Sequence, residues 1–248
     1  MSNSSMSQRP RVICHMMASI DGRIVTEGWP LSKEGYREYE QVHGTYEPDG
    51  WICGRVTMEQ HFAAGTRSEE DVARQYAGPP REDFVVPGEH ESFAIALDPR
   101  GKLVWDSGDM DEDHLVTVLR HRVSDEYLAF LRERGVSYLL AGEEEVDLPL
   151  ALEKIRERLG VRTLMLEGGG GINGSFLRAG LIDELSVLLA PAGERAPCHH
   201  REDRDDRGGA DAFQHARPVH RPASASLGAD RRRRPCRASR RTRIPHGR

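Results

Sequence analysis

Four consecutive glycines, Gly168 to Gly171, lie between an apolar run and a helical pattern, and no other stretch restricts the possible folds as much. Thr163 to Leu166 is short and apolar enough for a buried strand, and Glu167 closes it. Ile172, Phe176, Leu177 and Leu181 then recur at helical spacing, Gly180 is placed to end the helix, and Leu185 to Leu189 predicts a second buried strand. Strand, glycine loop and helix in that order let backbone approach a ligand closely. The free N–H groups and the dipole at the helix start favour an anion there. A plainer reading, a tight strand-to-helix connection that binds nothing, stands beside it.

Gly169, Gly171 and Gly174 also satisfy the G-x-G-x-x-G spacing of dinucleotide folds. Those folds place the motif in their first βα turn, with an acid at the end of the next strand. Here the motif comes late and the next strand ends in Ala190-Pro191, so that fold is rejected.

The rest of the chain reads as alternating strands and helices. Arg11 to Met17 predicts a strand running into Ser19-Ile20-Asp21-Gly22, Arg23 to Val25 a short extended piece, and Ser32 a cap for a helix reaching about His43. Trp51 to Cys53 predicts a strand, and Gly54-Arg55-Val56-Thr57 enters a helix to about Ala63. Residues 65–91 are polar and broken by Gly78-Pro79-Pro80, which predicts a long surface loop. Strands are expected at Phe93 to Leu97, Leu115 to Leu119 and Val136 to Leu140. Helices are expected from Ser124 to Gly135 and from Asp147 to Gly160. Such alternation implies an α/β fold, a three-layer α/β/α sandwich around a mostly parallel sheet, because parallel neighbours need crossover helices. Ligands in such folds sit beyond the carboxyl ends of strands. Ser19 to Gly22, Gly54 to Thr57 and Glu167 to Gly171 each follow an apolar strand, so all three are expected to line one crevice.

Charge divides the chain. Residues 193–248 hold 15 Arg, no Lys and 7 acidic residues, a balance of +8, which leaves −13 on residues 1–192. The Arg-rich tail has only Phe213, Val219, Leu227 and Ile244 as large apolar residues. That composition predicts disorder, as does the polar start, residues 1–10. A tail of Arg, Ala, Pro, His, Gly and Asp without Lys reads as a frame-shifted translation of GC-rich codons, with the strands that would complete the sheet missing. No run approaches the ~18 apolar residues of a membrane span, no signal peptide is evident, and the reading is cytoplasmic. Cys14 and Cys53 lie in apolar runs and are expected to be buried packing residues. Cys198-His199-His200 lacks metal-ligand spacing, so no metal is expected.

Met17-Ala18-Ser19-Ile20-Asp21-Gly22-Arg23-Ile24, Gly54-Arg55-Val56-Thr57 and Leu166-Glu167-Gly168-Gly169-Gly170 now stand together. With Phe176 to Leu185, which contains Asp183-Glu184, and with Ala190-Pro191, they resemble the reductase domain of riboflavin biosynthesis, the RibD C-terminal domain. The resemblance covers about residues 12–192 and implies a dihydrofolate-reductase-like fold. It implies an NADPH-dependent reduction of a phosphoribosylamino-pyrimidine to its ribitylamino form. Residue by residue, it implies that Gly54, Thr57 and Gly168, Gly169, Gly170 and Gly171 hold the dinucleotide and that Arg55 takes its 2′-phosphate. Asp21 and Glu167 would be the catalytic, substrate-facing pair. His15 stands where many bacterial members carry Lys; it is either a weaker substrate donor or a packed strand residue, and packing is slightly favoured. A homodimer is implied if the sheet is complete. The deaminase motifs of the bifunctional members are absent from the chain.

Two other functions compete. Dihydrofolate reductase itself shares Gly54-Arg55-x-Thr57 and an acid, Glu34, five residues after Trp29. A non-enzyme reading makes the Arg-rich tail a nucleic-acid arm, although one aromatic residue offers little for base stacking, so nucleic acid is not the expected partner.

Overall fold

The computed structural model describes residues 9–26, 28–29, 33–78 and 81–192. Ser32, most of the polar start, and the tail with Cys198-His199-His200 lie outside the described residues. Arg9 and Pro10, expected to be disordered, are described, and both guanidinium ends of Arg9 donate to Asp183, at 2.7 and 2.8 Å.

Among the described residues, ten strands and six helices follow one another. They are β1 (Arg11–Ser19), α1 (Lys33–Thr45), β2 (Gly50–Gly54), α2 (Arg55–His61), β3 (Gly65–Thr66), α3 (Glu69–Ala73), β4 (Phe93–Leu97), β5 (Leu103–Val104), β6 (Asp109–Met110), β7 (Asp113–Leu119), α4 (Asp125–Glu133), β8 (Ser137–Leu140), α5 (Leu148–Leu159), β9 (Thr163–Leu166), α6 (Gly170–Arg178) and β10 (Glu184–Ala190). The helix boundaries have identifiable causes. Ser124 and Asp147 accept N–H bonds from Tyr127 and Leu150 at the starts of α4 and α5, and Gly160 ends α5 in the left-handed conformation.

Eight strands form one sheet in the order β10-β1-β9-β2-β4-β7-β6, with β8 also on β7. Every pairing in it is parallel except β6 with β7. Alternate residues of the strands face opposite layers. Val12, Cys14, Ile52 and Ile95 pack with Ala151, Leu152 and Ile155 of α5 and with Ile172 and Phe176 of α6. Ile13, Trp51, Cys53 and Ala94 pack on the other side with Met58 of α2 and with Tyr127, Leu128 and Leu131 of α4. The three-layer sandwich expected from the sequence is the one observed, and Cys14 and Cys53 are buried free thiols within it, but the strand expected to be buried at Leu185 to Leu189 exposes Leu185, Val187 and Leu189 because it lies at the sheet edge.

The stretch 65–91 differs from its expectation as a plain surface loop. It contains β3, which pairs antiparallel with β5, and α3, which Ser68 caps. Phe84 makes a β-bridge to Tyr138, and Asp83, almost wholly buried, accepts from Leu140 N–H at 2.8 Å and from Lys154 at 2.9 Å. The segment therefore lies along β8 and occupies its outer edge. Residues 23–25 form no strand.

Two carboxylates fix strand positions at the amino ends. Asp49 accepts from the N–H groups of Arg162 and Thr163, at 2.7 and 2.9 Å, and its own N–H donates to Thr163 O. Asp183 accepts from Val12 N–H at 2.8 Å. At the carboxyl ends the strands stop at different heights. β9 pairs with β1 only from Arg11 to Cys14, whereas β10 stays with β1 through Ser19. A gap therefore opens beside β1 from His15 onward, and the residue at its base is Glu167.

Candidate active site

The two glycine turns meet at this gap. Glu167 N–H donates to Ile52 O at 3.0 Å, and Gly54 N–H reaches Gly168 O at 3.4 Å, so the ends of β9 and β2 are tied together. Contact across the tie is close. A Cβ on Gly54 would lie 3.3 Å from Ile172 Cγ2, and one on Gly169 would lie 3.3 Å from Thr57 Oγ1. Gly169 has φ +76°, a conformation that glycine adopts without steric cost. Gly170 and Gly171 begin α6, and a Cβ on Gly171 would meet no atom within 4 Å. Two helix starts, at Arg55 and Gly170, thus stand side by side. Unpaired N–H groups at such ends suit a dinucleotide's phosphates, so these residues fit the expected cofactor.

Two residues past the third expected segment, Ile24 approaches the α6 start. Ile24 Cδ1 lies 3.7 Å from where a Gly170 side chain would begin. Asp21 is exposed in the turn after β1, and Ser19 Oγ donates to its carboxylate. Arg55, at the first turn of α2, is ion-paired with Glu59 one turn on. Arg55, Arg100 and Lys102 all act on Glu69, whose carboxyl is held below its ordinary range, chiefly by the hydrogen bond from Lys102. Buried Asp98, at the end of β4, has its carboxyl pushed up to about 6 by desolvation, against the Leu103 and Lys102 N–H groups and the charges of Arg55 and Lys102.

The base of the gap is a polar row covered by α1. The side chain of Glu167 is only 6 % exposed, and its Oε1 lies 3.4 Å from His43 Nε2 on α1. His15, on the neighbouring strand, is fully buried. Its Nδ1 lies 2.9 Å from Ser186 Oγ, its Nε2 3.3 Å from Tyr39 O, and its ring stacks on Tyr39 at 4.2 Å. Desolvation lowers the His15 pKa, and repulsion from His43 adds to this while Glu167 opposes it. These contacts favour the packed-residue alternative for His15 over a direct substrate donor. His43, Tyr39 and Ser186 carry no motif of their own, and the sequence did not single them out. The polar positions of α1 at helical spacing are the only local signal that a face of this helix meets something other than apolar core.

Residues 10–194 match the family model described as the RibD C-terminal domain. The chain belongs to that family. Among curated RibD-related relatives, a 2,5-diamino-6-ribosylamino-4(3H)-pyrimidinone 5′-phosphate reductase of Aquifex aeolicus is 34 % identical over 77 % of this chain and 82 % of its own length. The protein of the same name from Methanothermobacter thermautotrophicus is 29 % identical over 74 % of this chain and 78 % of its own. A solved pyrimidine reductase-like protein from Corynebacterium diphtheriae shares the fold, with a TM-score of 0.52 and 16 % identity over 75 % of this chain and 76 % of that one. Within the RibD C-terminal domain matched here, Asp183-Glu184 has a mechanical role. Asp183 holds the start of β1 through Val12 N–H and Arg9, while Glu184 pairs with Arg11 and accepts from Tyr46 Oη at 2.9 Å. Among the described residues no helix is long and apolar enough to cross a membrane, and no group of three His, Cys, Asp or Glu could hold a metal ion.

Proposed function

We propose that this protein is an NADPH-dependent reductase that converts a phosphoribosylamino-pyrimidine into its ribitylamino form. The observation that carries the reading is the meeting of the Gly54 and Gly168 turns, and of two helix starts, at the strand end that carries Glu167. NADPH, when bound, would supply the hydride. Backbone at Gly54, Thr57 and Gly168 to Gly171 would hold its phosphates, and Arg55 would take the 2′-phosphate by a charge-assisted bond. Asp21 and Glu167 would face the substrate, the first from the exposed turn and the second from the base of the gap. The work required of the chain is placement and proton handling, and no nucleophile is needed.

The diamino-pyrimidine named for the two relatives is favoured over its deaminated uracil counterpart. The dihydrofolate alternative shares the Gly54-Arg55-x-Thr57 turn and differs in resting on Glu34 as its acid, which stands exposed in the first turn of α1, and it is weaker for that reason. NADPH consumption should be followed with the diamino-pyrimidine phosphate, the uracil form and dihydrofolate in turn. Turnover of dihydrofolate alone, or of none of the three, would overturn the proposal.

A further inference from the structure

The base of the gap contains more than the expected carboxylate. Tyr39, His43 and Tyr46 follow one another at intervals of four and three along α1 and just past its end, so they share one face. Tyr39 Oη donates to His15 O at 3.2 Å, and Tyr39 O faces His15 Nε2 at 3.3 Å. Tyr46 Oη donates to Glu184 at 2.9 Å. The helix is thus fastened to β1 one turn before His43 and to β10 three residues after it. Between these fastenings, His43 Nε2 meets Glu167 Oε1 at 3.4 Å, with the two side chains 14 % and 6 % exposed.

We infer that His43 is a positioning residue for Glu167: from α1 it fixes the carboxylate at the base of the gap and sets the pH range over which that carboxylate acts. The inference rests on the reductase reading above. A carboxylate this far out of water favours its neutral form, and an imidazolium beside it favours the charged one. Protonation of either partner therefore bears on the other. Among the described residues, His15 on β1 faces the pair, and Tyr39 on α1 stacks on His15. His15 lies 6.2 Å from His43, ring to ring, and its burial disfavours the imidazolium form there. The row Ser186, His15, Tyr39 serves as a neutral support.

The test uses the full chain. His43→Gln keeps a hydrogen-bonding group near the Nε2 position and cannot carry the charge. With NADPH and the diamino-pyrimidine phosphate, kcat should fall on the order of tenfold while the KM for NADPH stays within about twofold. The pH profile of kcat should lose the limb that the wild type shows. In combination with Glu167→Gln, the second substitution should add almost nothing, because both act through one unit. A second measurement needs no turnover. The NMR titration of the His43 ring should move to lower pH in Glu167→Gln, since an anionic neighbour is lost. Wild-type kcat and pH profile in His43→Gln, additive losses in the double variant, or an unmoved His43 titration would overturn the inference. A wild type that reduces none of the substrates would remove the reductase reading, and the NMR titration would still decide the pair.

Discussion

The position a Cβ would take on Gly168 lies 2.5 Å from Cys53 Sγ and 3.0 Å from Cys53 Cβ. Side chains do not approach one another that closely, so β2 and β9 can end side by side only if residue 168 has none. Gly168→Ala should destabilise the protein by about 1–3 kcal/mol, the usual cost of overpacking. Cys53→Ala in the same chain should recover part of it by removing the sulfur. Urea unfolding of the two single variants and the double variant measures both effects.

Gly171 offers the opposite case. No atom of the protein lies within 4 Å of its missing side chain, and its φ is outside the left-handed region. Gly171→Ala at the start of α6 should leave stability unchanged or raise it by about 0.5–1 kcal/mol, because alanine loses less entropy in a helix. If the phosphates of NADPH approach the α6 start, its affinity should nonetheless fall, and calorimetric titration reads the change directly. Gly169→Val is a poorer probe, since the φ of +76° and Thr57 Oγ1 at 3.3 Å penalise the fold as well as the ligand.

Arg55 is ion-paired with Glu59 in the first turns of α2. A charge-assisted bond from its guanidinium to a 2′-phosphate contributes about 1.5–3 kcal/mol. Arg55→Ala should therefore narrow the preference for NADPH over NADH by about ten- to a hundredfold. An unchanged ratio of kcat/KM for the two cofactors would show that another residue reads the phosphate.

Two buried groups should make stability respond to acid in opposite senses. Asp98 is raised to about 6 from an ordinary 3.8, chiefly by desolvation, so the folded state holds the extra proton and stability falls as pH rises from about 4 to 6. His114 is lowered to about 4 from 6.5, by desolvation first and then by its stacked neighbour His90, with Asp109 opposing. Its contribution is complete above pH 6.5 and is lost as pH falls toward 4. Each effect is at most roughly 3–3.5 kcal/mol. Thermal midpoints across this range should be flatter in the wild type than in either variant: Asp98→Asn should expose the acid loss, and His114→Gln the opposite slope.

Much of this was legible in the sequence where local chemistry and tertiary packing agree. Ser124, Asp147 and Gly160 delimit α4 and α5 because their side chains or φ values satisfy helix ends, and such requirements are local. β3, β5 and β6 are two residues each, too short to show a period, and α3 was hidden in polar sequence. The glycine turns could be recognised because close backbone approach restricts residue type. His43 could not, since a histidine in the last turn of a helix is unremarkable until β9 is folded against it. Asp183 was noticed through the family resemblance alone; its hold on Val12 N–H is a contact between distant parts of the chain that no spacing encodes.

Asp49 gives the candidate site a remote datum. It grips β9 at Arg162 and Thr163, and Glu167 stands four residues along, about 13 Å away at the ordinary rise of a parallel strand. A strand has no other adjustable length, so the height of the carboxylate above the glycine turn is measured from that far anchor, as on a ruler. A slip of one residue would turn Glu167 to the opposite face and bring the flanking Leu166 or Gly168 into its place. Variation at Asp49, far from any ligand, should therefore register as altered chemistry before it registers as a loosened fold.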